Sequence, residues 1–298
     1  MRKLIYVIVI ACVFACAAAA AAFARTEGDW EYREAYEWEG GGVCVTEYLG
    51  SEEYLTVPSV LGGKSVTWLG GEAFSENEAL RTVIVPEGVI GIDTYCFLDC
   101  PNLTSVKLPD TLVELSSYRG SFMGCVKLAS INIPDGVTAL GIETFSGCRS
   151  LRALELPESL TEIGTCCFEG CAKLTTIKGG VAVKKIGAKA FSGCKALRKF
   201  PVLNELEVIG AGAFRGCVKL AKFTLGEKVN SIGKNAFNGC KALKTVTVKT
   251  ELLTNDSVGK AAFKGINRKA TFKCPKARLK AYKKLLVKKG APKSCKFK

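Results

Sequence analysis

A phenylalanine recurs along this chain at a nearly constant spacing, and this repeat constrains the fold more than any other feature of the sequence. Of the eight intervals, six are 23 residues, one is 25 and one is 26. The rings are Phe74, Phe97, Phe122, Phe145, Phe168, Phe191, Phe214, Phe237 and Phe263. One unit of 23 residues is too short to bury its own apolar face. We therefore expect about nine coils that stack into a solenoid.

Other positions keep register with the ring. A cysteine follows it by three residues in seven coils, a leucine follows by six in eight, and a glycine precedes it by four in seven. Each unit then ends in two apolar residues separated by one, often with a proline next, as in residues 151–157. This alternation predicts a short strand that pairs in parallel with the next coil at about 4.8 Å, and the proline ends it because proline has no N–H. The glycine suits a tight corner before the ring.

Two segments outside the repeat are predicted to be caps. Residues 30–58 alternate aromatic and acidic residues around three glycines, which indicates a β-hairpin. Near the other end, helical spacing aligns one apolar stripe between Pro275 and Gly290, with lysines on the remaining faces. The stripe consists of Leu279, Tyr282, Leu285 and Leu286. We expect this helix to cover the last coil; the alternative is that it lies on a membrane surface.

The pattern V-x-x-I-G-x-x-A-F-x-G-C-x-x-L-x-x-I-x-I-P resembles the BspA-like leucine-rich repeat of bacterial surface proteins. Residues 137–157 and 229–248 follow it closely, and the resemblance covers residues from about Val57 to Gly265. It implies a β-rich right-handed leucine-rich-repeat solenoid with parallel strands, an N-terminal β-hairpin cap and a C-terminal α-helical cap. It also implies adhesion or surface recognition.

Several coils depart from this pattern. Asp93 and Tyr118 replace the glycine, and two residues are inserted before Phe122, so we expect that coil to bulge. Asn77 and Ile266 replace the cysteine at the two ends, as is typical of terminal repeats.

The first residues have the features of a secretory signal peptide. A basic start is followed by an apolar run and then by alanines that end in an A-x-A site at residues 22–24. We expect the mature chain to begin at Arg25 and to be secreted or held at the cell surface, with no transmembrane segment after cleavage. Two alternatives stay open: a membrane anchor over residues 4–24, or lipidation at Cys16. The predicted domains are therefore a signal peptide (1–24), an N-terminal cap (25–60), the solenoid (61–268) and a basic helical cap (269–298).

Histidine is absent, and this removes the commonest general base and zinc ligand. Of the fifteen cysteines, two lie in the signal segment and seven in the repeat column. Side chains in one column of a parallel stack lie side by side, which does not suit a disulfide, so we interpret them as small buried residues. Cys274 and Cys295 flank the terminal helix and are the best candidates for a disulfide. No cofactor, metal site or catalytic residue is predicted.

Charge changes sign along the chain. The net charge is −12 over residues 26–100, +5 over 101–200 and +18 over 201–298. The basic end could contact an anionic cell-wall polymer, an anionic glycan or a membrane surface, or its lysines could serve solubility alone. The predicted contacts are Lys280, Lys283, Lys284, Lys288 and Lys289. Nucleic acid is not an expected partner, because the chain is predicted to be exported and has no base-reading motif.

The outward positions of the strands are the predicted binding site. They are Lys107, Asn132, Glu155, Lys178, Lys199, Lys222, Thr224 and Thr247. Such a polar row suits an extracellular protein or glycan better than a small molecule in a deep pocket. An enzyme would need a nucleophile or a second carboxylate in register with Glu155, and we find neither. The prediction is a non-enzymatic binding or adhesion module; the alternative is a structural or self-associating wall component retained by its basic end.

Overall fold

The computed structural model describes residues 24–116 and 118–298, so nearly all of the expected signal peptide and its two alternatives lie outside the described residues. The strands in chain order are β1 (Arg25–Glu27), β2 (Trp30–Glu34), β3 (Val43–Tyr48), β4 (Tyr54–Thr56), β5 (Val60–Leu61), β6 (Lys64–Leu69), β7 (Thr82–Ile84), β8 (Gly91–Ile92), β9 (Ser105–Lys107), β10 (Glu114–Leu115), β11 (Ser130–Ile131), β12 (Ala139–Leu140), β13 (Ala153–Leu156), β14 (Glu162–Ile163), β15 (Thr176–Gly179), β16 (Lys185–Ile186), β17 (Val208–Ile209), β18 (Lys222–Leu225), β19 (Ser231–Ile232), β20 (Thr245–Val248), β21 (Thr271–Lys273) and β22 (Lys296–Phe297). One α-helix, α1 (Leu279–Lys288), follows a short 3-10 turn.

The strands form a solenoid with parallel pairing between coils, which confirms the predicted fold. The strands that follow the leucine column pair in the order β4, β7, β9, β11, then β13 and β15, then β18, β20, β21 and β22; we call this series the first ladder. An isolated bridge between Thr176 and Lys199 adds a rung between β15 and β18. The first ladder therefore has eleven rungs, one more at each end than the nine phenylalanine coils predict.

A second ladder runs along another side of each coil, although the sequence predicted only one strand per coil. It consists of β3, β6, β8 and β10, and then of β12, β14, β16, β17 and β19. Its later strands are the two residues that end just before the glycine column, as at Lys185–Ile186. The ladder is interrupted between β10 and β12, the coil with the two-residue insertion, where Arg119 and Ile142 form an isolated bridge.

The phenylalanine column forms a continuous stack inside the coils. Each of the nine rings is almost completely buried. Successive rings lie 4.7 to 5.6 Å apart between centroids and within 11° of parallel. The turn that carries the ring is also bonded from coil to coil, since the Phe168 N–H donates to the Ala190 carbonyl at 2.7 Å. Most coils are thus tied to their neighbours on three sides.

The glycine column allows close approach between coils, a reason that the expected tight corner did not include. A Cβ on Gly187 would lie 2.5 Å from the Thr165 backbone nitrogen, and the φ of Gly187 is not in the left-handed region. Left-handed residues lie on both sides of the ring, because φ is also positive two residues before each phenylalanine, as at Lys189 with φ 55°. Two residues after each phenylalanine, φ is positive in all nine coils, as at Gly193 with φ 74°.

The cysteine column is buried and its thiols are free, as predicted. Each Sγ lies within hydrogen-bond distance of the ring residue's carbonyl in the preceding coil; Cys194 Sγ, for example, donates to the Phe168 oxygen at 3.2 Å. The column therefore adds one weak bond between each pair of coils.

Cys274 and Cys295, the best candidates for a disulfide, are both free thiols. In the parallel pair β21 and β22, Thr271 faces Lys296, so Cys295 aligns with Ala270. Cys274 lies four residues further along, a separation of about 13 Å at the usual rise per residue. Cα atoms more than about 7 Å apart cannot be bridged without moving the backbone.

Both caps contain the predicted elements. At the N-terminal end β2 and β3 form an antiparallel hairpin, and β3 then pairs in parallel with β6 to start the second ladder. At the C-terminal end α1 buries Tyr282 and Leu286. The Tyr282 hydroxyl donates to the Thr250 carbonyl at 3.0 Å and accepts from the Leu253 N–H at 3.2 Å, and this fixes the helix on the last coils.

We predict that Phe191→Ala lowers the free energy of unfolding by about 3–5 kcal/mol, because a buried ring is lost from the middle of a packed column. Phe297→Ala is the control: its ring is only half-buried and stacks on Phe272 alone, so the loss should be smaller. Denaturant melts of the two variants measure the difference. Equal losses would contradict the view that the column acts as the interior support.

Candidate functional site

The outward side chains of the first ladder form the candidate binding surface, which we call the strand face. Seven of the eight predicted residues lie in paired rungs of this ladder, and Asn132 lies one residue beyond β11. Glu155 lies beside Lys178, and Thr224 beside Thr247, as register partners in adjacent rungs. Lys199 and Lys222 belong to a parallel row two residues earlier along the strands, with Thr176 and Thr245 as their neighbours. The six charged or amide residues are exposed, and the two threonines are half-buried.

Asn132 differs from the rest because its carboxamide bonds to the backbone. Its Oδ1 accepts from the Leu108 N–H at 2.9 Å, and its Nδ2 donates to the Leu108 carbonyl, also at 2.9 Å. The regular pairing of β9 with β11 ends one residue before Asn132. The side chain therefore continues the ladder where backbone pairing stops, and its polar atoms are already occupied.

The strand face begins with apolar groups that the sequence analysis missed. Tyr54 is 72% exposed and shares its row with Thr82 and Ser105. Ile84 is 40% exposed and shares the next row with Lys107. A strand ending at Thr56 can be recognised by its alternation, but it precedes the first ring and so fell outside the repeat pattern. The strand face thus changes from apolar to polar to basic along the axis.

The predicted basic contacts lie on and just after α1. Lys280, Lys283, Lys284 and Lys288 are exposed. Lys289 is half-buried, and its Nζ donates to the Asn255 carbonyl at 2.6 Å, so it helps to hold the helix to the last coil.

A cleft of about 400 Å³ lies between α1 and the loop at residues 253–255. Lys284 and Lys288 line it together with Arg278, whose guanidinium carbon is 5.4 Å from the centroid of the Tyr282 ring. The Arg278 Nε is buried without a hydrogen-bond partner.

The thiols are poor candidates for chemistry. Burial raises the pKa of Cys194 well above its ordinary value, and burial likewise raises the pKa of Cys240 to about 12. A thiol that stays protonated is neither a nucleophile nor a metal ligand at neutral pH. Within residues 24–116 and 118–298, no group of three or more metal-ligating side chains is suitably placed for an ion. The helices in that part of the chain are also too short or too polar to cross a bilayer.

The sequence pattern of this fold matches a known family, described as BspA type leucine rich repeat region, in six copies over residues 55–119, 116–244 and 175–283. The chain belongs to this family. No curated protein matches this chain. Among solved structures, a leucine-rich repeat protein of T. pallidum is 32% identical; the match covers 66% of this chain and 90% of that one, with a TM-score of 0.60.

A second solved relative in fold is a leucine-rich repeat protein from Eubacterium ventriosum. It is 20% identical, with a TM-score of 0.53, and the match covers 62% of this chain and 49% of that one. At this identity the likeness concerns the fold of the BspA-type repeats and not a shared ligand.

We predict that Asn132→Ala lowers the free energy of unfolding by about 1–2 kcal/mol, because two hydrogen bonds that continue the first ladder are lost. Glu155→Ala is the control on the neighbouring rung, and its effect should stay within about 0.5 kcal/mol since it is an exposed surface position. Chemical denaturation of both variants measures this. If the two changes have the same small effect, the Asn132 amide does not support the ladder.

Proposed function

We propose that the mature chain, starting at Arg25, is a non-enzymatic secreted or cell-surface module that binds or adheres to an extracellular protein or glycan through the strand face. The observation that carries this proposal is the ladder itself. Eleven parallel rungs span about 48 Å at the usual strand spacing. Two rows of polar side chains project from it. Among the described residues, few of these side chains take part in a hydrogen bond or an ion pair. A surface of this length is ample for a partner that buries about 800 Å² on each side.

Several features support binding and not catalysis. Glu155 has a lysine and not a second carboxylate beside it in register. Column thiols such as Cys194 and Cys240 are buried, and burial raises the pKa of each. Along the solenoid axis, the strand face changes from the aromatic Tyr54 through polar to basic side chains. It therefore offers aromatic contact, hydrogen bonds and charge one after another, as a recognition surface requires.

An array of glycans and extracellular proteins, probed with the mature chain, tests the proposal. We predict that a ligand found there is lost when Thr224→Arg and Thr247→Arg are combined, because two long side chains then cover adjacent rungs of the strand face. The matched control is Thr138→Arg with Asn230→Arg, which adds the same charge at exposed positions flanking the second ladder. Equal loss in both variants, or no ligand for the parent chain, would contradict the proposal.

A second candidate function is retention on an anionic envelope by the basic end. It is favoured by fourteen lysines and arginines, with no acid, between Lys264 and Lys298. We predict that replacing Lys276, Lys280, Lys283, Lys284 and Lys288 by glutamine releases the protein from cells and leaves its melting temperature nearly unchanged. These five side chains are exposed, and Lys289 is left in place because it bonds to Asn255. Exposed charges act through a screened field, so retention of the parent should also weaken with salt. Unchanged retention at low salt would rule this function out.

A further inference from the structure

A second charged surface runs along the coils, separate from the C-terminal helix. It consists of the residues four to eight positions after each ring from Phe122 onward, which we call the basic edge. These segments are residues 126–130, 149–153, 172–176, 195–199, 218–222, 241–245 and 267–271. Together they contain thirteen lysines and arginines and no aspartate or glutamate. The edge includes Lys199 and Lys222 from the strand face, but most of its cations precede the strands.

Backbone bonds place these segments directly above one another. The Thr175 N–H donates to the Arg152 carbonyl at 2.8 Å, and the Arg198 N–H donates to the Thr175 carbonyl at 3.0 Å. One level further from the strands, the Lys173 N–H donates to the Arg149 carbonyl at 3.2 Å. Seven coils at about 4.8 Å each carry the basic edge over about 30 Å.

The cations of the basic edge are exposed, and they take no part in the ion pairs of the described residues. Lys127 donates to the Asn102 side chain. Elsewhere on the same coils, acids pair with bases one coil away, as Glu162 does with Lys185 at 2.7 Å. Along the sequence, the acids closest to these segments are Glu155, two residues after residues 149–153, and Glu169, three residues before residues 172–176. Solubility is served by mixed charges, so it does not account for an edge of one sign.

A line of like charges costs free energy through mutual repulsion unless a partner neutralises it. A compact anion could contact only one or two coils of such a line. An extended polymer with repeated anionic groups can contact all seven. The side chains that border the edge on the strand side include Ser130, Thr176 and Thr245, which can donate to and accept from sugar hydroxyls. The edge segments carry no aromatic residue on which nucleic-acid bases could stack.

We infer that the basic edge binds a linear anionic polysaccharide, one bearing sulfate or carboxylate groups, that lies along the solenoid axis. This inference rests on the proposed binding function and adds to it the ligand class and a surface beside the strand face. Because the contacts repeat from coil to coil, the affinity depends on the length of the polysaccharide.

Heparin-derived oligosaccharides of increasing length test the inference, with affinity measured by calorimetry at physiological salt. The affinity should rise with length until the oligosaccharide spans about 30 Å, the length of the six strand spacings that separate seven coils. The edge variant combines Arg149→Gln, Lys173→Gln, Lys195→Gln, Lys219→Gln and Lys241→Gln, one charge in each of five successive coils. It should lower the affinity by about tenfold or more, as expected for the loss of five exposed ion pairs.

The matched control combines Lys184→Gln, Lys189→Gln, Arg215→Gln, Lys234→Gln and Lys260→Gln, five exposed cations outside the basic edge, the strand face and α1, and it loses the same net charge. It should bind the oligosaccharide as the parent does. Equal losses in the two variants would show that only net charge matters and would overturn the inference. Equal affinity of the parent for poly(glycerol phosphate) or duplex DNA of the same charge would overturn the assignment to a polysaccharide. Circular dichroism melts confirm folding, and a smaller variant with Lys173→Gln and Lys219→Gln alone replaces the edge variant if that fails to fold; unchanged affinity in it would overturn the inference.

The outcome can be told apart from failure of the proposed function. If the Thr224→Arg, Thr247→Arg variant loses a ligand that the edge variant keeps, and the edge variant also keeps the oligosaccharide, this inference is wrong and the proposed function stands. If the parent chain binds no oligosaccharide and no array ligand, both are wrong.

Discussion

Each coil of this protein depends on its neighbours, because its buried phenylalanine ring stacks on the rings before and after it. The stack from Phe74 to Phe263 keeps ring centroids 4.7 to 5.6 Å apart, close to the spacing of paired strands. Ring contact and backbone pairing therefore reinforce one another in every coil. A single coil has neither, so stability belongs to the array and not to the unit.

The small residues around the ring follow from the same spacing. Gly187 is needed because adjacent backbones come too close for a Cβ, and Gly193 because the turn after the ring is left-handed. Cys194 fills a small buried site and bonds to the carbonyl of Phe168 in the preceding coil. The seven cysteines of the column thus serve packing, and burial raises the pKa of column thiols such as Cys194.

With the interior used for stacking, recognition is left to the outward side chains. The array repeats each outward position once per coil. A residue type that recurs at one position therefore forms a line along the axis. The strand face is one such line and the basic edge is another. Charges that would be scattered on a globular protein are brought into register here, and this favours extended partners over compact ones.

The sequence by itself determined the register of the coils, the strands of the first ladder and the apolar stripe of α1, because each is set by a local period of ring, leucine or helix. Only the tertiary structure decided the second ladder, since strands as short as Lys185–Ile186 show no alternation of their own. It also decided that the amide of Asn132 is occupied by Leu108, and that Cys274 and Cys295 are out of register. The binding residues stay a prediction, and the basic edge forms only where the stacked coils bring its segments above one another. These features depend on which residues of neighbouring coils face one another. Such residues lie 23 or more positions apart in the sequence, so their pairing is fixed by the stacking of the coils and not by a local pattern.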